Sequence, residues 1–340
     1  MSALTPLWLD VDTGHDDAFA LLLAAHSPKT VLLGVTTVHG NASLEHTTRN
    51  TRGVLEAIGC SHIAVYPGAT KPLTRSAVHA PDIHGETGLD GVTLLPNVPG
   101  SAKLFAAHPD LVDHLAGVSI MGGAIGGKFN DAPMGTVAGE GERFGNFTPF
   151  AEFNCDPEAA HSILAHPVLS KKTTLIPLDV THLCRGTRPV RQRLLFSDNS
   201  LKDTTTVRAL FHEIMTYFAG TYAEVFAITD GPPLHDPLAT AAAFIPEIFE
   251  DASGERFEVN TVREGVHSDD RTLAGQLGRT VASLLPKGQG GVRVPRGLNV
   301  ERFWDMIELA LQEADKASSL PSLNGTEKKK YRDLYNAGEA

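Results

Sequence analysis

Leu7-Trp8-Leu9-Asp10-Val11-Asp12-Thr13-Gly14-His15-Asp16-Asp17 runs straight into Ala18-Phe19-Ala20-Leu21-Leu22-Leu23-Ala24-Ala25. The apolar Leu7, Trp8, Leu9 and Val11 read as a short buried strand entering a parallel sheet. Ala18 to Ala25 reads as a helix, with Asp16 and Asp17 in its first turn, where the helix dipole favours acids. Asp10 and Asp12 then stand at the carboxyl end of a strand, where open α/β sheets place their ligands. Four carboxylates within eight residues repel one another unless a cation lies among them. A hard ion with oxygen ligands, Ca²⁺ or Mg²⁺, meets that need.

Rival readings of the same stretch differ in their fit. Taken alone, Asp16-Asp17 is also an ordinary pair of helix-start acids. An EF-hand loop fails: counting from Asp10, the sixth residue is His15 rather than Gly and the twelfth is Leu21 rather than Glu. A phosphatase with an aspartyl nucleophile also begins strand-Asp-x-Asp-x-Thr. That chemistry needs a later strand-terminal acid pair, and Asp269-Asp270 lies instead in a polar stretch.

Further along the chain, Val35-Thr36-Thr37-Val38-His39-Gly40-Asn41 and His84-Gly85-Glu86-Thr87-Gly88-Leu89-Asp90-Gly91 put polar groups after apolar runs. Met121-Gly122-Gly123-Ala124 follows, then Gly145-Asn146-Phe147-Thr148-Pro149-Phe150-Ala151-Glu152-Phe153-Asn154. Pro177-Leu178-Asp179-Val180-Thr181-His182 and Pro233-Leu234-His235-Asp236-Pro237-Leu238-Ala239 close the series. In this order the motifs resemble the nucleoside hydrolases, the inosine–uridine preferring family, with a flavour of its fungal and bacterial pyrimidine-leaning branch. The resemblance spans Asp10 to Asp236.

That resemblance implies an open, mostly parallel, Rossmann-like α/β sheet with helices on both faces. It implies cleavage of the N-glycosidic bond of a purine or pyrimidine ribonucleoside, of uridine type, to ribose and free base. Ca²⁺ would activate the water and hold ribose hydroxyls. Asp12, Asp17 and Asp236 would be its carboxylate ligands, with Asp12 also taking the proton from the attacking water. Asp10 would be a supporting acid and Asp16 a ribose hydroxyl partner. Asn41, Asn146, Glu152 and Asn154 would bind the rest of the ribose, His84 would border the base, and His235 would assist the leaving group. Family members form dimers or tetramers, so a homo-oligomer is implied.

Several of these residues also admit plainer explanations. His235-Asp236-Pro237 reads as a helix start with Asp236 as cap and Pro237 at the first position. Asn41-Ala42-Ser43 and Asn146-Phe147-Thr148 match a glycosylation pattern, but glycans there would block the inferred site. Glu152 and Asn154 alternate about Phe153, which puts both polar groups on one face and favours a binding role.

One departure from the family stands out. Its members carry, between the His-Gly loop and Met-Gly-Gly, a helix and a strand ending in Leu-Thr-Asn, whose Thr carbonyl is a metal ligand. Here Gly91 is followed by Val92-Thr93-Leu94-Leu95-Pro96-Asn97-Val98-Pro99-Gly100-Ser101-Ala102, with no such segment. The interval reads as an internal deletion, which would expose strand edges and apolar faces. It leaves a second reading open, a catalytically impaired or non-catalytic nucleoside-binding relative. Thr13 also stands where the family has Pro, which alters only the rigidity of the turn.

Composition sets the outer bounds. The 340 residues are 42% hydrophobic and 20% charged, enough for one large core. A net charge of −11 argues against a nucleic-acid partner. Cys60, Cys155 and Cys184 have no metal-site spacing, and their odd number suits reduced cytoplasmic thiols. No signal peptide is evident, and no run approaches the ~20 apolar residues of a membrane span.

Strands are expected at Leu7–Asp12, Val31–Val38, Ile63–Tyr66, Val118–Met121 and Thr174–Leu178. Helices are expected at Asp17–His26, Leu44–Ile58, Val207–Phe226 and Leu238–Ile245. Along Val207–Phe226 the aromatics are spaced for a core face, with Tyr222 the one best placed to reach a base pocket. The Gly-rich stretch 126–145 reads as a mobile flap beside the site. Residues 1–317 are taken as a single domain and 318–340 as a polar, solvated C-terminal tail.

Overall fold

The computed structural model describes residues 3–98, 114–126, 128–133, 136–137, 141–142, 156–196, 204–265 and 277–337. Strand β1 (Thr5–Val11) leads through the acidic loop into helix α1 (Asp17–His26). Because α1 is apolar around its whole circumference, every residue from Asp17 to Ala24 is buried. It packs against the later helices Asp236–Phe244 and Val300–Ala317 as well as the sheet. Each fully buried Phe or Leu there contributes about 1.5–3 kcal/mol, so α1 is the central strut on which the acidic loop rests.

Strand β2 (Thr30–Thr37) lies parallel to β1, pairing Leu9 with Val35 and Val11 with Thr37. Helix α2 (Leu44–Ala57) begins at Ser43, whose hydroxyl caps the His46 N–H, and returns to β3 (Val65–Pro67), parallel to β2. A single turn, α3 (Pro81–His84), ends at Gly85. Strand β4 (Val118–Met121) pairs in parallel with β5 (Thr173–Ile176), the two separated in sequence by α4 (Pro157–Leu164). Then come α5 (Leu178–Thr181), α6 (Arg188–Leu195), α7 (Thr206–Phe226) and α8 (Asp236–Phe244). An antiparallel pair, β6 (Phe257–Thr261) and β7 (Thr280–Leu284), precedes α9 (Val300–Ala317) and α10 (Gly325–Ala337). The architecture is the expected α/β arrangement, and the loops after β1, β2, β4 and β5 all emerge at the carboxyl ends of parallel strands.

Among the described residues, the parallel strands fall into two groups, β1-β2-β3 and β4-β5. Within them β1 has β2 as its one partner, although it carries the acidic loop. The outward face of β1 and β2 shows Trp8, Val31 and Leu33, at 49%, 41% and 58% exposure. Trp8 covers part of this face itself. Its ring stacks on Tyr66 at 5.6 Å and lies where a Cβ at Gly34 would stand, 2.7 Å away.

Two expectations need correction. Leu178 is not the end of a strand: Pro177 stops β5 and Leu178 opens α5, because proline has no N–H for the ladder. The C-terminal segment is not a free solvated tail. Leu323 and Tyr331 are buried against Leu195, Phe196 and Ala209, and the Tyr331 hydroxyl donates to Glu213 Oε1 at 3.0 Å. Isolated apolar residues in a polar segment were enough to dock a helix. Of the 126–145 stretch expected as a flap, the start is described and held: Asn130 Nδ2 donates to the Asp179 and Arg296 carbonyls, and Arg296 sits 4.1 Å over the Phe129 ring; most of the remainder lies outside the described residues.

Candidate active site

The acidic loop folds back on itself because its own N–H groups need acceptors. Asp17 Oδ2 accepts from Gly14 N–H at 2.8 Å and from Asn41 Nδ2 at 3.1 Å, while Asp12 N–H donates to Asp17 Oδ1 at 3.2 Å. Asp12 Oδ2 in turn accepts from Asn41 N–H at 2.7 Å. The β2 loop therefore presses on β1's loop from above, and Gly40 makes that approach feasible: a Cβ there would lie 2.0 Å from Asp12 Oδ2. Thr13, in the family's proline position, is tied to α2 by a 2.6 Å hydroxyl contact with Thr51.

Asp16, Asp17 and Asp236 converge, each offering an oxygen within 4.8 Å of the others. Asp236 is brought in by the N-terminus of α8, where Pro237 occupies the first turn. Three carboxylate oxygens this close repel one another unless a proton or a cation lies among them. Burial, and then the Asp17 charge, pushes Asp16 up to about 7. Burial also raises Asp12 well above the usual carboxylate range, with Asp17 adding to it and the Asn41 N–H opposing. Burial raises Asp17 despite the N–H groups it accepts from. Two oxygens held about 2.3–2.6 Å from one ion lie no more than about 5 Å apart, so this donor set fits a calcium-sized cation. Its charge would reverse the local preference for protonated acids.

The expected residues are thus distributed unevenly. Asp17, Asp236, Asp12, Asp16 and Asn41 come together, but the tight triad contains Asp16, whereas Asp12 flanks it and is held by the β2 loop. Asp10 lies on the exposed face of β1 and accepts from Thr36 Oγ1 at 2.6 Å. Asn146, Glu152 and Asn154 lie outside the described residues.

A wall of imidazoles and aromatics borders the acids. His84 is buried, its Nδ1 3.3 Å from the His15 N–H and from His15 Nδ1. Burial, then the neighbouring His15, holds His84 well below the usual imidazole value. His15 donates from Nε2 to the Asp90 carbonyl at 3.1 Å and stacks on Tyr217 at 4.8 Å. Burial lowers it to about 4. Phe218 continues the wall, edge-on to Tyr222 at 4.8 Å. His235, at the start of α8, is buried between two hydroxyls: Nε2 is 2.6 Å from Tyr222 Oη and Nδ1 is 2.8 Å from Thr181 Oγ1. Burial, then His182 and His84, keeps it well below the usual value, so the ring is neutral at pH 7.

Sequence reasoning gave no role to His15, Asp179 or Thr181. Asp179 accepts from Ile125 and Gly126 N–H at 2.7 and 2.9 Å, fixing the turn after Met121-Gly122-Gly123. The motif containing Asp179 and Thr181 was visible, but its partners are far away in the chain.

Comparison with known proteins agrees with this geometry. The model of the inosine–uridine preferring nucleoside hydrolase family matches residues 7–102 and 101–305. The uridine nucleosidase of Saccharomyces cerevisiae is 32% identical over 93% of this chain and 98% of that protein. That alignment runs to 353 positions, more than this chain's 340 residues, so the relative carries segments absent here. The pyrimidine-specific ribonucleoside hydrolase RihA of Shewanella woodyi is 31% identical over 81% of this chain and 89% of its own. A purine-preferring ribonucleoside hydrolase from Gardnerella vaginalis shares the fold, with a TM-score of 0.70 at 23% identity over 92% of this chain and 100% of that one. The family match favours a working hydrolase over a nucleoside-binding relative without catalysis. The chain belongs to the inosine–uridine preferring nucleoside hydrolase family and is a hydrolase of ribonucleoside N-glycosyl bonds.

Proposed function

We propose that the protein hydrolyses uridine-type ribonucleosides to ribose and free base with Ca²⁺ at the acidic cluster. The observation that carries this reading is the convergence of buried Asp16 and Asp17 with half-buried Asp236 beside the His235–Tyr222 pair. Asp12, Asp17 and Asp236 are proposed as the carboxylate ligands, with Asp16 close enough to share the ion or to meet a ribose hydroxyl. The cation supplies charge that lowers the pKa of a water and fixes ribose hydroxyls.

The chain's own residues do the rest. Asp12, held by Asn41 N–H, takes the proton from the water that adds to C1′. The C1′–N bond breaks toward the base with oxocarbenium character on the sugar, and the electron pair left on the base is met by a proton from the His235–Tyr222 pair. His84 with Phe218 and Tyr217 forms the apolar border of the base. Asn41 is proposed to bind ribose, as are Asn146, Glu152 and Asn154. The leaning toward uridine is supported by the names of the yeast and Shewanella relatives. Buried, unpaired Cys60 and Cys184 suit the reducing cytoplasm proposed as its compartment.

The test is ribose release from uridine against 2′-deoxyuridine. A site built to hydrogen-bond a hydroxyl rejects the analogue lacking it by about 10⁴-fold. Equal rates on the two would sink the proposed ribose contacts.

A further inference from the structure

We infer that Thr181 is a positioning residue that decides which nitrogen of His235 carries the proton, a role that rests on the leaving-group reading of His235 above. The Thr181 hydroxyl has one proton to give. Leu178 O lies 3.3 Å away and His235 Nδ1 lies 2.8 Å away. Leu178 O already accepts from His182 N–H at 3.0 Å and from His182 Nδ1 at 2.9 Å, which occupies both lone pairs of a carbonyl. His182 Nδ1, 3.5 Å from the hydroxyl, is spent as the donor in that contact. The Thr181 proton therefore goes to His235 Nδ1, and the neutral imidazole carries its own proton on Nε2.

There, Nε2–H donates to Tyr222 Oη at 2.6 Å. A tyrosine hydroxyl that accepts this bond keeps its O–H proton for another acceptor. With the opposite tautomer that proton would be committed to Nε2. As the C1′–N bond breaks and its electrons pass to the base, the Tyr222 proton moves to the base nitrogen. The phenolate left behind is held by Nε2–H. The water that adds to C1′ loses its proton to Asp12, and that proton returns to Tyr222 through solvent after release, so the sum is nucleoside plus water to ribose plus base. Thr181 touches none of the reacting atoms, yet it sets the direction of the whole hydrogen-bond chain from α5 to α7.

Two measurements test this. In protein with ¹⁵N-labelled histidine, His235 should show a pyridine-type Nδ1 and a pyrrole-type Nε2 at neutral pH. A protonated Nδ1 in the wild-type protein overturns the inference, whatever the activity. In Thr181→Val, which keeps the shape and removes the hydroxyl, uridine turnover should fall about 10- to 100-fold relative to p-nitrophenyl riboside, whose leaving group needs no proton. Thr181→Ser should restore the ratio. Equal losses on both substrates, or no rescue by Ser, would mark Thr181 as merely structural and also overturn the inference. Wild-type protein inactive on both substrates with Nε2 protonated would instead overturn the proposed function and leave the tautomer assignment standing.

Discussion

Replacing Gly40 with alanine probes the placement of Asp12 without touching its chemistry. The backbone at Gly40 lies outside the left-handed region, so alanine adds no conformational strain of its own. Its methyl group, however, would lie 2.0 Å from Asp12 Oδ2 and 2.8 Å from Cγ. Ordinary contact needs about 3.5 Å, so the carboxylate or the loop must move by more than about 1 Å. The 2.7 Å bond from Asn41 N–H to Asp12 cannot survive that displacement. A hydrogen bond to a charged group is worth about 1.5–3 kcal/mol, and a catalytic group misplaced by about 1 Å costs about 10²-fold in rate. Gly40→Ala should therefore reduce kcat for uridine about 100-fold, measured by ribose release, with a modest fall in thermal midpoint. Gly220→Ala is the control, since its Cβ on α7 meets nothing within 4 Å and helix propensity gains about 1 kcal/mol. Wild-type kcat in Gly40→Ala would refute the placement of Asp12 as base.

Other consequences follow from the same structure. His235→Ala should slow uridine hydrolysis by about 10²–10⁴ and p-nitrophenyl riboside far less; steady-state rates on the pair decide it, and equal losses would remove His235 from the leaving-group role. Tyr331→Ala should destabilise the fold by about 2–4 kcal/mol in urea unfolding, because the buried ring and its bond to Glu213 dock α10; an unchanged midpoint would mean that this docking contributes nothing. Acid should unfold the protein through its buried imidazoles. Burial, then the Arg191 charge, lowers His212 to about 4, and burial lowers His182 to about 4. Between pH ~6.5 and ~4 the unfolded chain binds protons that the folded chain refuses, so stability falls as pH falls through that window. Each such histidine withdraws on the order of 3 kcal/mol below pH 4. Midpoints in urea from pH 7 to 4 test this, and His212→Gln should flatten part of the slope.

The sequence was most legible where local chemistry and fold agree. Asp17–His26 forms the expected helix to the residue, because an acid start and an all-apolar body point to one answer. Asp236 was legible as a site residue only through resemblance, since His-Asp-Pro is equally a plain helix start, and here it is both. Thr174–Leu178 misled because an apolar run hides the break at Pro177. That the closest triad contains Asp16 rather than Asp12 was not readable, for it depends on how closely the Gly40 loop approaches Asp12. Thr181 and His15 lie within visible motifs, but nothing local gives either a role. Their partners, His235 and His84, lie 54 and 69 residues away, and only the packed sheet ends bring them together. The lack of a Leu-Thr-Asn segment was plain from the sequence itself, since Gly91 runs on to Ala102 without one.

The proposed chemistry needs a cation among Asp12, Asp16, Asp17 and Asp236. The most direct measurement is the initial rate of ribose release from uridine by chelator-stripped protein as calcium chloride is added back. Turnover should be negligible without calcium and return saturably as it is added, as expected where clustered carboxylates need a cation to remain charged. Full activity in excess chelator, with no response to calcium, would contradict it.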